Sequence, residues 1–218
     1  MKVTLISSTP NPELTIARAA RLCYRRSYDE DITLEKAQKL IREIVARGHE
    51  SVLEHASFTF LIGGISRAAS HQLVRHRIAS YSQQSQRYIH FKNPEFVIPP
   101  SIKEDETLFD HFREQIQKSS DIYQEMIKMG IAEEDARYIL PQAITSQIIL
   151  TANAREYLHI LKLRLCSRSQ WEIRMIATAI FKILKELSPI IFESAGPPCA
   201  TGICPEGDKG CGHPWSKR

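Results

Sequence analysis

The 218 residues contain no glycine-rich phosphate loop: neither G-x-x-x-x-G-K-[ST] nor G-x-G-x-x-G occurs. That argues against a P-loop ATPase and against a Rossmann dinucleotide site. Long apolar runs are missing too. The most apolar stretch, Ser57 to Ile65, falls far short of the ~20 residues that a spanning helix needs. The N-terminal Met1-Lys2-Val3-Thr4-Leu5-Ile6 turns polar too soon for a signal peptide. The five cysteines make an odd set, and three crowd the last twenty residues, so no disulfide framework is expected. The expected compartment is therefore cytoplasmic, with reduced thiols. What is present is ordinary for a globular chain: 43% hydrophobic, 25% charged, mean hydropathy −0.26.

One kind of charge is missing locally. The net charge is only +4, but Ala56 to Pro94 holds no acidic residue and carries Arg67, Arg75, Arg77, Arg87 and Lys92. Two more acid-free runs follow, Ala136 to Arg155 and Tyr157 to Trp171. Acids crowd into residues 29–50 and 104–135 instead. A cationic zone of this kind points to an anionic ligand such as a phosphate, a nucleotide or a nucleic acid. The plainer alternative is a solvated face whose acids come from elsewhere in the fold.

Periodicity places the elements. Lys2–Ser7 reads as a strand, and Glu13–Tyr24 as a helix with Pro12 at its start. Thr33 caps a helix over Leu34–Arg47, ended by Gly48. Alternation over Ala56–Ile62 predicts a strand that breaks at Gly63-Gly64, with a helix over Ser66–Arg75 after it. Tyr88–Ile98 is rich in β-formers and reads as a strand. Leu108–Met129 is a long amphipathic helix stopped by Gly130, and a short helix covers Glu133–Leu140. Asn153 with Glu156 opens a helix over Ala154–Leu165. Ser169-x-x-Glu172 reads as a capping box for a last helix that ends at Pro189. The pattern fits α+β or mixed α/β. A composition shift at Gly196 divides a single domain, residues 1–195, from a Cys/Gly/Pro-rich tail, residues 196–218.

The densest polar constellation runs from Arg75-His76-Arg77 to Gln83-Gln84-Ser85-Gln86-Arg87. A helix would put Gln72 and Arg75 on one face, and an extended segment would aim Ser85 and Arg87 the same way. Two guanidinium groups can each grip a phosphate bidentately. A small RNA-binding module is the competing class, with Tyr81, Tyr88 and Phe91 available to stack bases.

Arg75-His76-Arg77, seven residues, then Ser85-x-Arg87 resembles the signature of the flavin-dependent thymidylate synthases. Gly48-His49-Glu50-Ser51, Glu54-His55, Ala136-Arg137, Leu140-Pro141, Asn153-Ala154-Arg155 and Leu163-Arg164 follow the family order. The resemblance extends from about Ala20 to about Glu193. It implies an α+β fold of helices around a small antiparallel sheet, the thymidylate synthase-complementing-like fold. It implies methylation of dUMP to dTMP, with 5,10-methylenetetrahydrofolate as carbon donor and NADPH-reduced FAD as hydride source. It also implies a homotetramer with shared active sites, and neither a membrane nor a nucleic-acid partner.

By position, the resemblance assigns Ser51, Arg75, His76, Arg77, Gln83, Asn153, Ala154, Arg155 and His159 to FAD. It assigns Gln72, Leu73, Val74, Arg75, Gln83, Gln84, Ser85, Gln86, Arg87, Arg137 and Arg164 to dUMP. Arg164 is the catalytic candidate, at the uracil edge, where it favours the N3 anion. Cys23, Ser51, Gln83 and His159 stand where other members carry Ser, Thr, Glu and Asn. No metal is expected. The only ligand-like spacing, Cys199, Cys204, Cys211 and His213, lacks the C-x2-C of a zinc knuckle.

Overall fold

A computed structural model describes residues 1–24, 31–200 and 202–215. Asp29 and Glu30, part of the first acidic stretch, lie outside the described residues. The chain is α+β. The strands are β1 (Lys2–Ser8), β2 (Ser57–Ser66), β3 (Ser80–Gln83) and β4 (Thr145–Asn153), in sheet order β1-β2-β4-β3. The helices are α1 (Pro12–Leu22), α2 (Leu34–Ala46), α3 (Arg67–Leu73), α4 (Pro100–Lys103), α5 (Glu106–Lys128), α6 (Glu133–Ala136), α7 (Ala154–Arg164) and α8 (Trp171–Leu187). β2 and β4 run antiparallel. Ala154 N–H donates to the Ala56 carbonyl (2.8 Å) at one end of the pair, and Arg67 N–H to the Ile144 carbonyl (3.0 Å) at the other.

The chain forms two compact units. One comprises residues 1–2, 62–74 and 82–148, the other residues 3–61, 75–81 and 149–218. In the first unit, Tyr123 of α5 is fully buried, as are Ile62, Ile65 and Ala69. Tyr123 also receives a hydrogen bond from Phe91 N–H (3.3 Å). In the second unit, Phe58, Phe60, Tyr157 and Phe192 form an edge-to-face aromatic cluster with centroids 5.6–6.1 Å apart. The Tyr157 hydroxyl faces the carbonyls of Phe58 (3.2 Å) and Leu150 (3.3 Å), so its polar end is satisfied in the core. Buried Glu13 of α1 accepts from the Gln38 side chain (2.8 Å) and from Ile190 N–H (2.9 Å), tying α1 to α2 and to the segment after α8. No helix among the described residues is long and apolar enough to cross a membrane.

Several boundaries differ from the sequence expectation. β2 does not break at Gly63-Gly64 but continues to Ser66. Gly64 takes φ +67°, and Met1 N would lie 3.3 Å from a Cβ added there, so the position suits glycine. Residues 88–98 make no strand. Pro94 and Pro99 bracket a segment in which Phe96 forms one isolated bridge to Ile144. β3 and β4, by contrast, are strands that the periodicity did not announce. The last helix is capped by Gln170, whose side chain accepts from Glu172 and Ile173 N–H (both 3.0 Å). Ser169 donates instead to the Leu163 carbonyl (2.8 Å).

The tail from Gly196 is held on α8. Trp215 packs edge-to-face on Phe181 at 5.9 Å, and its backbone N–H donates to the Cys199 sulfur (3.4 Å).

Candidate active site

The site is built on the start of α7. Asn153 ends β4, and its side-chain oxygen accepts from Glu156 N–H at 2.9 Å, as the sequence predicts. Ala154 is buried, and its N–H is the one held by Ala56. Those two anchors fix the first turn of α7 and leave Arg155 and His159, four residues apart, exposed on one face.

The second unit holds a cavity of about 810 Å³, lined by residues that include Arg75, His76, Arg77, Asn153, Arg155, His159 and Arg164. Arg155 and Arg164 are nine residues apart, which sequence alone puts on opposite faces of a helix. Both nevertheless line this cavity, because the long Arg164 side chain reaches His76: its Nε donates to His76 Nε2 at 2.9 Å. Burial pushes the Arg164 guanidinium below its ordinary value, against a pull upward from Tyr81.

The three residues of Arg75-His76-Arg77 differ in setting. Arg75 and Arg77 are exposed, whereas His76 is buried. Burial, then Arg164, then His159 push the His76 imidazole down from 6.5 to about 4, so the ring is neutral at neutral pH. Glu156 Oε1 lies 3.9 Å from His76 Nδ1, and burial raises the Glu156 carboxyl. Beside a neutral ring, that contact is a charge facing a dipole rather than a salt bridge. The Tyr81 hydroxyl donates to the His76 carbonyl at 3.0 Å.

The cationic zone is partly compensated. Arg155 Nη1 meets Glu54 Oε1 at 2.6 Å, and its Nε lies 3.6 Å from Glu50 Oε2. Both acids belong to a 3₁₀ turn over Glu50–His55, which also carries Ser51. The plainer sequence alternative therefore holds for Arg155: its acids come from another element.

The residues assigned to dUMP sit mainly in the first unit. α3 ends at Leu73, so Arg75 has left the helix, and Gln72 and Arg75 do not share a helical face. Leu73 is buried in the core, while Val74 is the C-cap of α3. Gln83 donates to Ser70 Oγ (2.8 Å) and Ser146 Oγ (3.2 Å). Gln84 N–H donates to the Gln147 carbonyl (2.9 Å). Residues 86–88 form a turn rather than an extended segment, and Ser85 Oγ accepts from Arg87 N–H at 3.2 Å. Arg87 and Arg137 converge on Glu134. Arg87 pairs with its carboxylate at 2.9 Å, and Arg137 Nε donates to its carbonyl at 3.0 Å. Among the described residues, no three His, Cys, Asp or Glu side chains gather to hold a metal, so the Cys199, Cys204, Cys211 and His213 spacing forms no ligand set.

Glu50, Glu54, Glu156 and Lys162 also line the cavity and lie outside the site set that the sequence suggests. Lys162 carried a usable signal: it lies three residues after His159 and seven after Arg155, on the same helical face. For Glu156 the sequence signal is only that of a cap partner.

The α+β fold thus carries a cavity rimmed by arginines and carboxylates. A family model described as "Thymidylate synthase complementing protein" matches residues 4–190. A flavin-dependent thymidylate synthase from Geobacter sulfurreducens is 49% identical, over 97% of this chain and 94% of its own length. Proteins of the same name from Clostridium tetani (42% identical, 97% of this chain and 93% of theirs) and Pyrococcus abyssi (46%, 94% and 90%) are also similar. The chain belongs to the thymidylate synthase complementing protein family.

Proposed function

We propose that this chain methylates dUMP to dTMP, with 5,10-methylenetetrahydrofolate as carbon donor and NADPH-reduced FAD as hydride source. The observation that carries the reading is the convergence of Arg75, His76, Arg77, Asn153, Arg155, His159 and Arg164 on one cavity of about 810 Å³. That volume suits a cofactor-sized ligand. The donor set fits FAD: Arg75, Arg77 and Arg155 offer guanidinium groups for a pyrophosphate, and Asn153 and His159 add further hydrogen-bonding partners. Arg155 exchanges Glu50 and Glu54 for that phosphate when it binds. When bound, the flavin supplies the hydride that NADPH provides.

The protein contributes orientation and charge. Gln72, Gln83 to Arg87 and Arg137 hold dUMP, with Arg87 and Arg137 as its phosphate cations. Arg164 faces the uracil edge. A fixed cation beside N3 stabilises the N3 anion and lowers the pKa of that N–H. The anion sends electron density to C5, the carbon that must attack the methylene. Arginine keeps its proton, so Arg164 acts by charge rather than as a general base. Residues 1–195 form the synthase domain, with residues 196–218 as its tail, and the working unit is a homotetramer with shared sites.

Arg164→Ala tests the assignment. Flavin binding persists, and dTMP formation falls by about 10²–10³ in kcat, the usual cost of one preorganised charge contact. Wild-type turnover in Arg164→Ala would remove that residue from the mechanism. A wild-type protein that forms no dTMP with every co-substrate present would remove the reaction.

A further inference from the structure

The carboxylate of Glu156 needs a reason to be buried. Its backbone N–H is what Asn153 caps, and an alanine at 156 would serve that cap equally. Yet the residue is only 5% exposed, and taking an ionised carboxylate out of water is costly. What it faces is His76, also 5% exposed.

The hydrogen-bond directions are determined. Arg164 Nε always carries its hydrogen, so at 2.9 Å His76 Nε2 must be the acceptor and must be bare. The proton of the neutral ring then sits on Nδ1, and Nδ1 is the atom 3.9 Å from Glu156 Oε1. That separation is too long for a direct hydrogen bond but short enough for a buried carboxylate to favour an N–H dipole aimed at it. The opposite tautomer would set an Nε2–H against the Arg164 N–H, two donors facing each other, and would expel Arg164. The other ionisable groups around the ring are His159, with its ring 5.9 Å away, and Tyr81, whose hydroxyl donates to the His76 carbonyl.

We propose that Glu156 is a positioning residue: its carboxylate selects the Nδ1–H form of His76, and the bare Nε2 of His76 sets the place of Arg164. The consequence for turnover rests on the synthase reading above; the Glu156–His76–Arg164 link does not. Because Arg164 acts on the N3 anion, misplacing it lowers kcat more than it alters ground-state binding of dUMP.

Two arms separate these claims. The first is a long-range ¹H–¹⁵N spectrum of the full-length protein, with the His76 signals assigned by their loss in His76→Gln. The wild-type ring carries its proton on Nδ1. In Glu156→Leu the proton moves to Nε2 or is shared, and in Glu156→Gln, whose amide dipole still turns its oxygen towards Nδ1, it stays on Nδ1. The second arm is kinetic. Glu156→Leu loses about 10-fold in kcat for dTMP, the order expected of a displaced charge, with the dUMP KM and flavin binding preserved. Glu156→Gln recovers part of that loss. A wild-type ring protonated on Nε2 overturns the proposal, as does Glu156→Leu with wild-type kcat or with an equal loss of flavin binding. Should Glu156→Leu fail to fold, the wild-type ring and Glu156→Gln still decide. A wild-type enzyme with the Nδ1–H ring but no dTMP formation counts against the synthase reading and leaves the link standing.

Discussion

His76 shows how much a single residue's setting matters. Its imidazole is held down at about 4 by burial first and by Arg164 next, against 6.5 in a free chain. Between those values the unfolded chain binds a proton that the folded chain refuses. Stability therefore falls as pH drops from 6.5 towards 4, and His76 contributes no further loss below that. The loss is roughly 1–3 kcal/mol over this window. Glu156 works in the opposite sense: burial raises its carboxyl, so acid relieves its cost. Thermal melts of wild type and His76→Gln across pH 7 to 4 separate the two. The wild type loses more stability over that range, and equal slopes would contradict the shift. At this scale the sequence marked Arg75, His76 and Arg77 together but could not tell them apart. Only packing shows that two are exposed cations and one a buried neutral acceptor.

α7 is the element on which the site depends, and its start was legible. Asn153 three residues before Glu156 is a local signal, and the cap forms as the spacing predicts. Asn153→Ala costs about 1 kcal/mol of stability, read by denaturant unfolding. Asn153→Asp keeps the cap but sets a negative charge beside an anionic ligand, so stability holds while flavin affinity drops. Equal losses in both variants would mean that Asn153 acts through the helix alone. Other elements were less legible. In β4 the inward positions are Ser146, Ile148, Leu150 and Ala152, and the small or polar residues at both ends blur the alternation. β3, Ser80–Gln83, is polar and half-exposed, so it carries no hydrophobic period at all. Residues 88–98 differ in the other direction: their β-forming side chains make only the Phe96–Ile144 bridge, and Pro94 removes a ladder donor just before it. Gly64 looked like a terminator, but its positive φ serves a strand that continues.

Across the whole molecule, the acid-free runs contribute Arg75, Arg77, Arg155 and Arg164 to one cavity, while the carboxylates that balance Arg155 and Arg87 come from distant segments. Pairing across that distance is tertiary and leaves no local trace. The proposed tetramer with shared sites makes activity depend on assembly. Specific activity therefore falls on dilution through the dissociation range, together with the mass measured by light scattering. Activity that stays constant as the mass falls to one chain would contradict shared sites. The central claim is tested most directly by the visible absorption spectrum of the purified protein, before and after NADPH and dUMP are added without oxygen. The account predicts flavin bands that bleach on reduction, with dTMP appearing once methylenetetrahydrofolate is supplied. A colourless protein that takes up no added FAD would contradict it.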